Sequence, residues 1–181
     1  MSLPILSIGH STHPWDRFAA ILRAHGVEHL FDVRTVPRSR RNPQFNSETM
    51  AEALPREGIA YTHLKELGGL RKPRADSPNG GWRNESFRGY ADYMDSAGFR
   101  QGLERLIDAA RRETVAMMCA EAVPWRCHRS LIADALAARG IAVEHILGET
   151  QRKPHTITAF ARIDGDRVTY PPEQPDLFSP P

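Results

Sequence analysis

The chain alternates between short apolar runs and longer amphipathic stretches. Apolar runs of strand length cover residues 3–8, 27–33, 59–63, 115–119 and 141–147. Apolar residues at helical spacing follow such runs, as Phe18, Ile21 and Leu22 do after Pro14. Strands that alternate with helices favour a mostly parallel sheet with right-handed crossovers.

Helices are predicted from Pro14, from Ser47 to about Glu57, around Tyr90, over 98–112 and over 130–140. Residues 65–86 are rich in glycine and proline and are predicted to form a long loop, a kind of segment that is usually functional or mobile. Residues 157–170 alternate like a hairpin, and the chain beyond them is proline-rich and extended.

These elements predict the fold class. We expect an α/β core domain over 1–150, with a mostly parallel five-stranded sheet flanked by helices in Rossmann-like or rhodanese-like layering. A C-terminal hairpin and tail are expected over 151–181.

The composition of the chain is that of a soluble globular protein rather than a membrane protein. A hydrophobic content of 40% and a charged content of 25% are ordinary for a soluble globular protein, and a net charge of +2 is too small to demonstrate a polyanionic partner. No apolar run approaches the roughly 20 residues of a membrane span. The start of the chain has no signal-peptide layout and the two cysteines form no disulfide framework, so we expect a cytoplasmic protein.

Polar residues follow three of the predicted strands. They are His10 after the first, Asp32 and Arg34 at the second, and Cys119 and Glu121 at the fourth. Parallel strands end at the same edge of a sheet, so these side chains are expected to converge on one cleft. Alternatively, Asp32 and Arg34 pair with each other or with loop backbone.

Both cysteines lie between the fourth strand and the helix after it. Cys119 is at the strand end, and Cys127 is at the helix start beside a polar group made up of Arg126, His128, Arg129 and Ser130. Cationic groups and a helix N-terminus favour a thiolate, which is a nucleophile or a metal ligand. Alternatively, Cys119 is a small core residue and Cys127 is incidental. The spacing matches no standard zinc pattern, and we expect neither a metal nor a cofactor.

A basic loop follows the second strand. Arg34, Arg38, Arg40 and Arg41 fall within eight residues that contain no acid. Arginine binds phosphate oxygens in a bidentate manner, so the loop is expected to contact an anion. A solvated surface loop is the alternative. Residues 82–90 interleave aromatics with arginines, which suits either base stacking or a lid packed on its own aromatics.

The layout of strand, cysteine, loop, arginine and helix is similar to the active loops of rhodaneses and cysteine phosphatases. In those enzymes, loop N–H groups and an arginine surround a strand-end thiolate. Here Arg129 lies ten positions after Cys119, whereas the phosphatase arginine lies six positions after the cysteine. The resemblance implies a thiol that holds an anion and does not identify either chemistry.

A series of motifs in order resembles domain-of-unknown-function family 488. The motifs are Ser7-Ile-Gly-His-Ser11, Phe31-Asp-Val-Arg34, Pro37-Arg-Ser-Arg40, Phe45-Asn46, Leu67-Gly-Gly69, Phe87-Arg-Gly-Tyr-Ala-Asp-Tyr-Met94, Met118-Cys-Ala-Glu121 and Cys127-His-Arg-Ser130. The resemblance runs from about residue 5 to residue 147. It implies a compact α/β domain whose polar motifs form the site, and it supplies no reaction.

The tail carries a separate motif. Gln174, Asp176, Leu177 and Phe178 are similar to the short peptide by which bacterial repair and replication proteins bind the sliding clamp. An extended segment with apolar anchors suits binding in a groove. Alternatively, Leu177 and Phe178 fold back on the core.

The sequence therefore leaves several functions open. The first is an enzyme that acts on a phosphate-bearing substrate, a nucleotide or nucleic acid, with Cys119 or Cys127 as its thiol. His10, Asp32, Glu121 and His128 are its candidates for proton transfer, and Arg34, Arg38, Arg40, Arg126, Arg129 and Ser130 its candidates for anion binding. The second is a non-catalytic nucleic-acid-binding or adaptor module of DNA maintenance, recruited through the tail. The third is a zinc-stabilised domain.

Overall fold

The computed structural model describes residues 3–174. Its main sheet has six strands in the order β3-β2-β4-β1-β5-β6, of which the first five are parallel and β6 is antiparallel to β5. Two further strands, β7 and β8, form a separate hairpin. The strands are β1 Ile5–Gly9, β2 His29–Asp32, β3 Ala60–His63, β4 Val115–Cys119, β5 Val143–Ile146, β6 Arg152–Pro154, β7 Arg162–Asp164 and β8 Arg167–Thr169.

Helices cover both faces of the sheet, and the molecule has three layers. The helices are α1 Trp15–Ala24, α2 Ser47–Arg56, α3 Glu85–Tyr93, α4 Ala97–Ala110 and α5 Arg129–Ala138. On one face, alternate strand residues such as Leu30 and Met118 pack with α1 and α2. On the other face, the intervening residues such as Phe31 and Met117 pack with α3, α4 and α5. Strands buried on both faces read as the continuous apolar runs seen in the sequence.

The α/β class, the five parallel strands and the C-terminal hairpin predicted from the sequence are confirmed. The structure adds strand β6, which the sequence pattern did not predict. Its residues Arg152, Lys153 and Pro154 are all exposed, so they show no alternation of apolar and polar positions. The C-terminal residues also contribute to the core, where Val168 and Tyr170 are buried.

The long loop before α3 is fixed by a buried carboxylate. Asp92 of α3 accepts hydrogen bonds from the Arg74 backbone N–H, the Ser77 hydroxyl and the Asn79 amide. Trp82 packs against rings of its own protein: the ring centroids of Phe87 and Phe160 lie 4.9 and 4.8 Å away. Trp82 therefore packs on rings of α3 and of the C-terminal segment, and the lid of the second sequence alternative stays a prediction.

Strand order brings three loops together at one edge of the sheet. β4 lies between β2 and β1, and Gly9 is paired with Cys119. The pairing continues past the strands, because the His10 N–H donates to the Cys119 carbonyl. A side chain at Gly9 would collide with the loop after β4, since its Cβ would lie 1.7 Å from the Glu121 carbonyl oxygen. Glycine at this position lets that loop lie directly over the end of β1.

Candidate active site

A cleft of about 590 Å³ opens at the carboxyl ends of β1, β2 and β4. This is where an open α/β sheet binds its ligands. Four segments line it: the loops after these three strands, the last of which leads into α5, and residues 69–70. The lining includes His10, Arg34, Arg38, Cys119, Glu121, Cys127 and His128.

The two cysteines meet at this cleft. A 3₁₀ turn over Pro124–Arg126 reverses the chain, and the Cys127 N–H donates to the Pro124 carbonyl. The Cys119 and Cys127 sulfurs are consequently 2.7 Å apart, and both residues are free cysteines. The Nε–H of Arg129 lies 2.9 Å from the Cys119 sulfur and 3.2 Å from the Cys127 sulfur, so one donor contacts both.

Arg129 is a buried cation, and the described part of the chain places no carboxylate beside it. Its side chain is 1% exposed, and its remaining partners are the Ser7 hydroxyl at 2.8 Å and the Glu121 carbonyl at 2.6 Å. No Asp or Glu within residues 3–174 forms an ion pair with it. An uncompensated buried charge is strongly destabilising. A negative charge on the cysteine pair compensates it, and this argues for one thiolate.

The pair divides this charge unequally. Burial alone would raise the pKa of Cys127, but hydrogen bonds from Cys119 and His128 and the charge of Arg129 lower it well below the ordinary value. Burial raises the pKa of Cys119 well above the ordinary value, and its hydrogen bond to Cys127 adds to the effect. The two thiols therefore titrate as a pair, and these opposite pKa directions favour Cys127 as its more acidic member.

Helix α5 also favours the Cys127 thiolate. The Arg129 backbone N–H, in the first turn of this helix, lies 3.3 Å from the Cys127 sulfur. His128 donates from Nε2 to the Val33 carbonyl at 2.7 Å, and this hydrogen bond fixes the orientation of the ring beside Cys127. Gly69 leaves room for this ring, because a Cβ there would lie 3.1 Å from Nδ1.

His10, Arg34 and Asp32 form a closed cluster beside the cysteines. Arg34 donates from Nε and Nη2 to the two Asp32 oxygens at 2.8 and 2.7 Å, and its Nη1 lies 3.2 Å from His10 Nε2. His10 also uses Nδ1, which donates to the Ser11 carbonyl. Burial lowers the pKa of His10 to about 4, with the charge of Arg34 adding to the effect and the Ser11 hydrogen bond opposing it. His10 is therefore a neutral ring with both nitrogens occupied.

A family model described as domain of unknown function DUF488 matches residues 14–136. This span is more than half of the 181-residue chain. The chain belongs to the DUF488 family. Among curated proteins and among solved structures, none matches it at a significant level of similarity. The matched DUF488 span contains Asp32, Arg34, both cysteines and Arg129, whereas His10 lies just before it.

The DUF488 fold brings together most of the residues singled out in the sequence. His10, Arg34, Cys119, Glu121, Cys127 and His128 line one cleft, and Asp32 lies buried behind Arg34. Asp32 and Arg34 pair with each other, which was the alternative interpretation of those two residues. Glu121 is exposed, and its backbone carbonyl rather than its carboxylate contacts Arg129.

The candidate anion-binding residues are more dispersed. Arg38 lines the rim of the cleft, where it pairs with Glu48, and the exposed Arg40 and Arg126 are outside the lining that residues 3–174 provide. Arg129 contacts the thiols from behind the cleft, and the Ser130 hydroxyl donates to the Cys127 carbonyl. Gln174 is exposed, and Asp176, Leu177 and Phe178 of the tail motif lie outside the described residues.

Sequence reasoning missed a buried chain of polar groups behind the DUF488 site. Arg129 donates to Ser7, Ser7 is 3.0 Å from His145 Nδ1, His145 Nε2 is 3.0 Å from His155 Nδ1, and His155 Nε2 is 2.8 Å from the Asp134 carboxylate. Burial lowers the pKa of His145 to about 4, with His155 and Arg129 adding to the effect. When each imidazole carries its proton on Nε2, every donor in this chain points from Arg129 towards Asp134. The sequence gives one sign of this chain: Ser7 and His145 are polar residues within largely apolar strands.

A second cavity, of about 350 Å³, borders that polar chain at His145 and His155. Its lining includes Trp82, Trp125, His145, Lys153 and His155. Trp82 Nε1 is buried and has no hydrogen-bond partner within residues 3–174. In the same part of the chain, no group of three or more His, Cys, Asp or Glu side chains is arranged to hold a metal ion. None of the helices there combines the length and apolar character needed to cross a bilayer.

Proposed function

We propose that this protein is a cysteine-dependent enzyme that acts on a phosphate-bearing substrate, a nucleotide or nucleic acid, with Cys127 as its nucleophile. One observation supports this most strongly. The Cys127 sulfur lies at the cleft within reach of two donors of Arg129, the side-chain Nε–H at 3.2 Å and the backbone N–H at 3.3 Å. Donors of this kind stabilise a thiolate, which is the reactive form of cysteine.

The proposed reaction is a two-step displacement. The Cys127 thiolate forms a bond to an electrophilic atom of the substrate, and the bond to the leaving group breaks, with the electron pair departing on that group. Water then adds to the same atom, the bond to sulfur breaks, and one proton is released as the thiolate is restored. Arg129 stabilises the thiolate at the start and the end of the cycle.

The rim of the cleft suits a phosphate. Arg38 lines it, and its partner Glu48 is 61% exposed, so their ion pair is weak enough for a phosphate to displace. Arg40 and Arg41 are exposed on the same loop. Arg34 has a different role, because its bidentate bond with the buried Asp32 makes it a fixed part of the cleft wall. A cleft of about 590 Å³ lies within the usual range for small-molecule sites.

A turnover experiment tests the proposal. The protein is incubated with a panel of nucleoside mono-, di- and triphosphates and with short single-stranded DNA and RNA, the products are separated by chromatography, and acid-quenched protein is examined by mass spectrometry. We expect product formation and an adduct on Cys127, both lost in Cys127→Ser. Arg38→Ala should raise KM, and Arg74→Ala, an exposed arginine outside the cleft lining, is the matched control. Turnover that persists in Cys127→Ser would overturn the proposal.

A non-catalytic nucleic-acid-binding or adaptor module is the second candidate. It is favoured by the closed cluster of His10, Asp32 and Arg34, whose polar atoms already bind one another instead of facing a substrate. This candidate predicts oligonucleotide binding that weakens steeply with salt and is indifferent to Cys127→Ser, measured by fluorescence anisotropy. Recruitment to the sliding clamp through the tail belongs to this candidate. For either function we propose the cytoplasm, where thiols stay reduced.

A further inference from the structure

The cysteine pair has a second chemical capacity that needs no phosphate-bearing substrate. The Cys119 and Cys127 sulfurs are 2.7 Å apart, both are free, and no other cysteine occurs in the chain. A disulfide bond is about 2.05 Å long, so a shift of less than about 1 Å brings the sulfurs to bonding distance. Both residues line the cleft, which gives a small reagent access to them.

We propose that Cys127 and Cys119 are a redox-active pair, in which Cys127 reacts with a hydroperoxide and Cys119 then closes a reversible disulfide. The geometry assigns the two roles. The Arg129 Nε–H contacts both sulfurs, but the backbone N–H in the first turn of α5 contacts only that of Cys127, which makes Cys127 the more acidic thiol. The Cys119 sulfur lies 2.7 Å from the Cys127 sulfur that it must attack.

The atoms and electrons of this reaction balance. The Cys127 thiolate attacks the terminal oxygen of the hydroperoxide, the O–O bond breaks, and the products are a sulfenic acid on Cys127 and an alkoxide that takes a proton from water. The Cys119 sulfur then attacks the Cys127 sulfur, the S–O bond breaks, and the hydroxyl leaves as water with the Cys119 proton. Two electrons pass from the thiols to the peroxide, which is reduced to an alcohol or, for hydrogen peroxide, to water.

Arg129 determines how easily this disulfide is reduced. In the reduced protein the thiolate compensates the buried guanidinium, and the disulfide removes that negative charge. Stabilising the reduced form makes a disulfide a stronger oxidant. We therefore expect the oxidised pair to be reduced readily by glutathione, unlike a structural disulfide. While it is oxidised, Cys127 is unavailable as the nucleophile of the proposed enzyme.

The test uses the full-length protein and hydrogen peroxide as the probe. The reduced protein is treated with a stoichiometric amount of peroxide, denatured, alkylated and weighed by mass spectrometry. We expect the mass to fall by two hydrogens with no alkylated thiol, and glutathione to restore two alkylated thiols. Because the chain has two cysteines, this mass change in a monomer identifies the bond. Stable sulfinic acid in place of the disulfide would overturn the proposal.

Two variants separate the roles of the thiols. Cys119→Ser should stop at a sulfenic acid on Cys127, trapped by dimedone, and Cys127→Ser should react at least about tenfold more slowly than the wild type. Equal reactivity of both variants would refute the assignment, and circular dichroism verifies that each is folded. The mass measurement detects the disulfide independently of nucleotide turnover. A disulfide that forms in a protein without turnover would refute only the proposed enzymatic function. Turnover without a disulfide refutes the redox pair alone.

Discussion

Ser7 and Arg129 are 122 positions apart in the chain, and they meet inside the protein, where the Arg129 Nη1–H donates to the Ser7 hydroxyl at 2.8 Å. Ser7 is fully buried in β1 and also contacts His145 at 3.0 Å. Its hydroxyl therefore connects the guanidinium beside the cysteines to the imidazoles that lead to Asp134. A polar side chain at this position of an apolar strand is explained by that connection.

Replacing Ser7 by alanine should destabilise the protein. The change leaves a buried guanidinium N–H and a buried imidazole nitrogen without partners, and we expect the free energy of unfolding to fall by about 1–3 kcal/mol. Urea unfolding followed by circular dichroism measures it. Ser86→Ala, at an exposed position in the first turn of α3, is the control and should change stability by less than about 0.5 kcal/mol. Equal effects of the two changes would contradict the connection.

Acid should destabilise the protein through two buried histidines. Burial lowers the pKa of His10 and of His145 from 6.5 to about 4, so the unfolded chain binds these protons more readily. The contribution of each neutral histidine to the free energy of unfolding is complete above pH 6.5 and is lost as the pH falls towards 4. It is on the order of 3 kcal/mol for each group. Urea unfolding between pH 4.5 and 7 measures this slope. The slope should become shallower in His10→Gln and in His145→Gln. An unchanged slope in both variants would refute these two histidines as the cause of the acid destabilisation.

Arg129→Lys should make Cys127 less reactive at low pH. Lysine keeps the positive charge but loses the planar fork that contacts both sulfurs, Ser7 and the Glu121 carbonyl. We expect the pKa of Cys127 to rise, and alkylation by iodoacetamide at pH 6 to slow about tenfold for each unit of that rise. Peptide mass spectrometry measures the rate. Arg126→Lys, exposed in the same loop, should react like the wild type, and a common rate for both variants would be contrary to this account.

Gly9→Ala should disrupt the cleft and the core together. The added Cβ would lie 1.7 Å from the Glu121 carbonyl oxygen, which is backbone, so the loop after β4 must move. We expect a loss of at least about 1–3 kcal/mol of stability and slower alkylation of Cys127, because the same loop holds Arg129 through that carbonyl. Gly148→Ala is the matched control, since nothing lies within 4 Å of its Cβ. Equal melting temperatures of the two variants would contradict the steric argument.

The convergence of the strand ends was predictable from the sequence. The apolar runs of β1, β2 and β4 predict parallel strands, and parallel strands end at one edge, so His10, Arg34 and Cys119 were expected at one cleft. Strand β6 was not predictable, because its exposed residues carry no periodic signal.

The role of Arg129 also could not be predicted from the sequence. It was expected to bind a substrate anion, but its side chain contacts the two thiols from behind. Nothing in the spacing of Cys119 and Cys127 shows that the 3₁₀ turn at Pro124–Arg126 brings their sulfurs into contact. The polar chain to Asp134 joins residues distant in sequence, and only the fold reveals it.

The hydrogen bonds that connect Arg129 to Asp134 cannot carry a proton to the cysteines. Passing a proton along this row towards sulfur would require the guanidinium to release one of its own, and arginine does not deprotonate in proteins. This row of hydrogen bonds therefore does not carry a proton from Asp134 to the sulfurs by way of Arg129. Both cysteines line the cleft, so a ligand bound there would slow their exchange of protons with solvent.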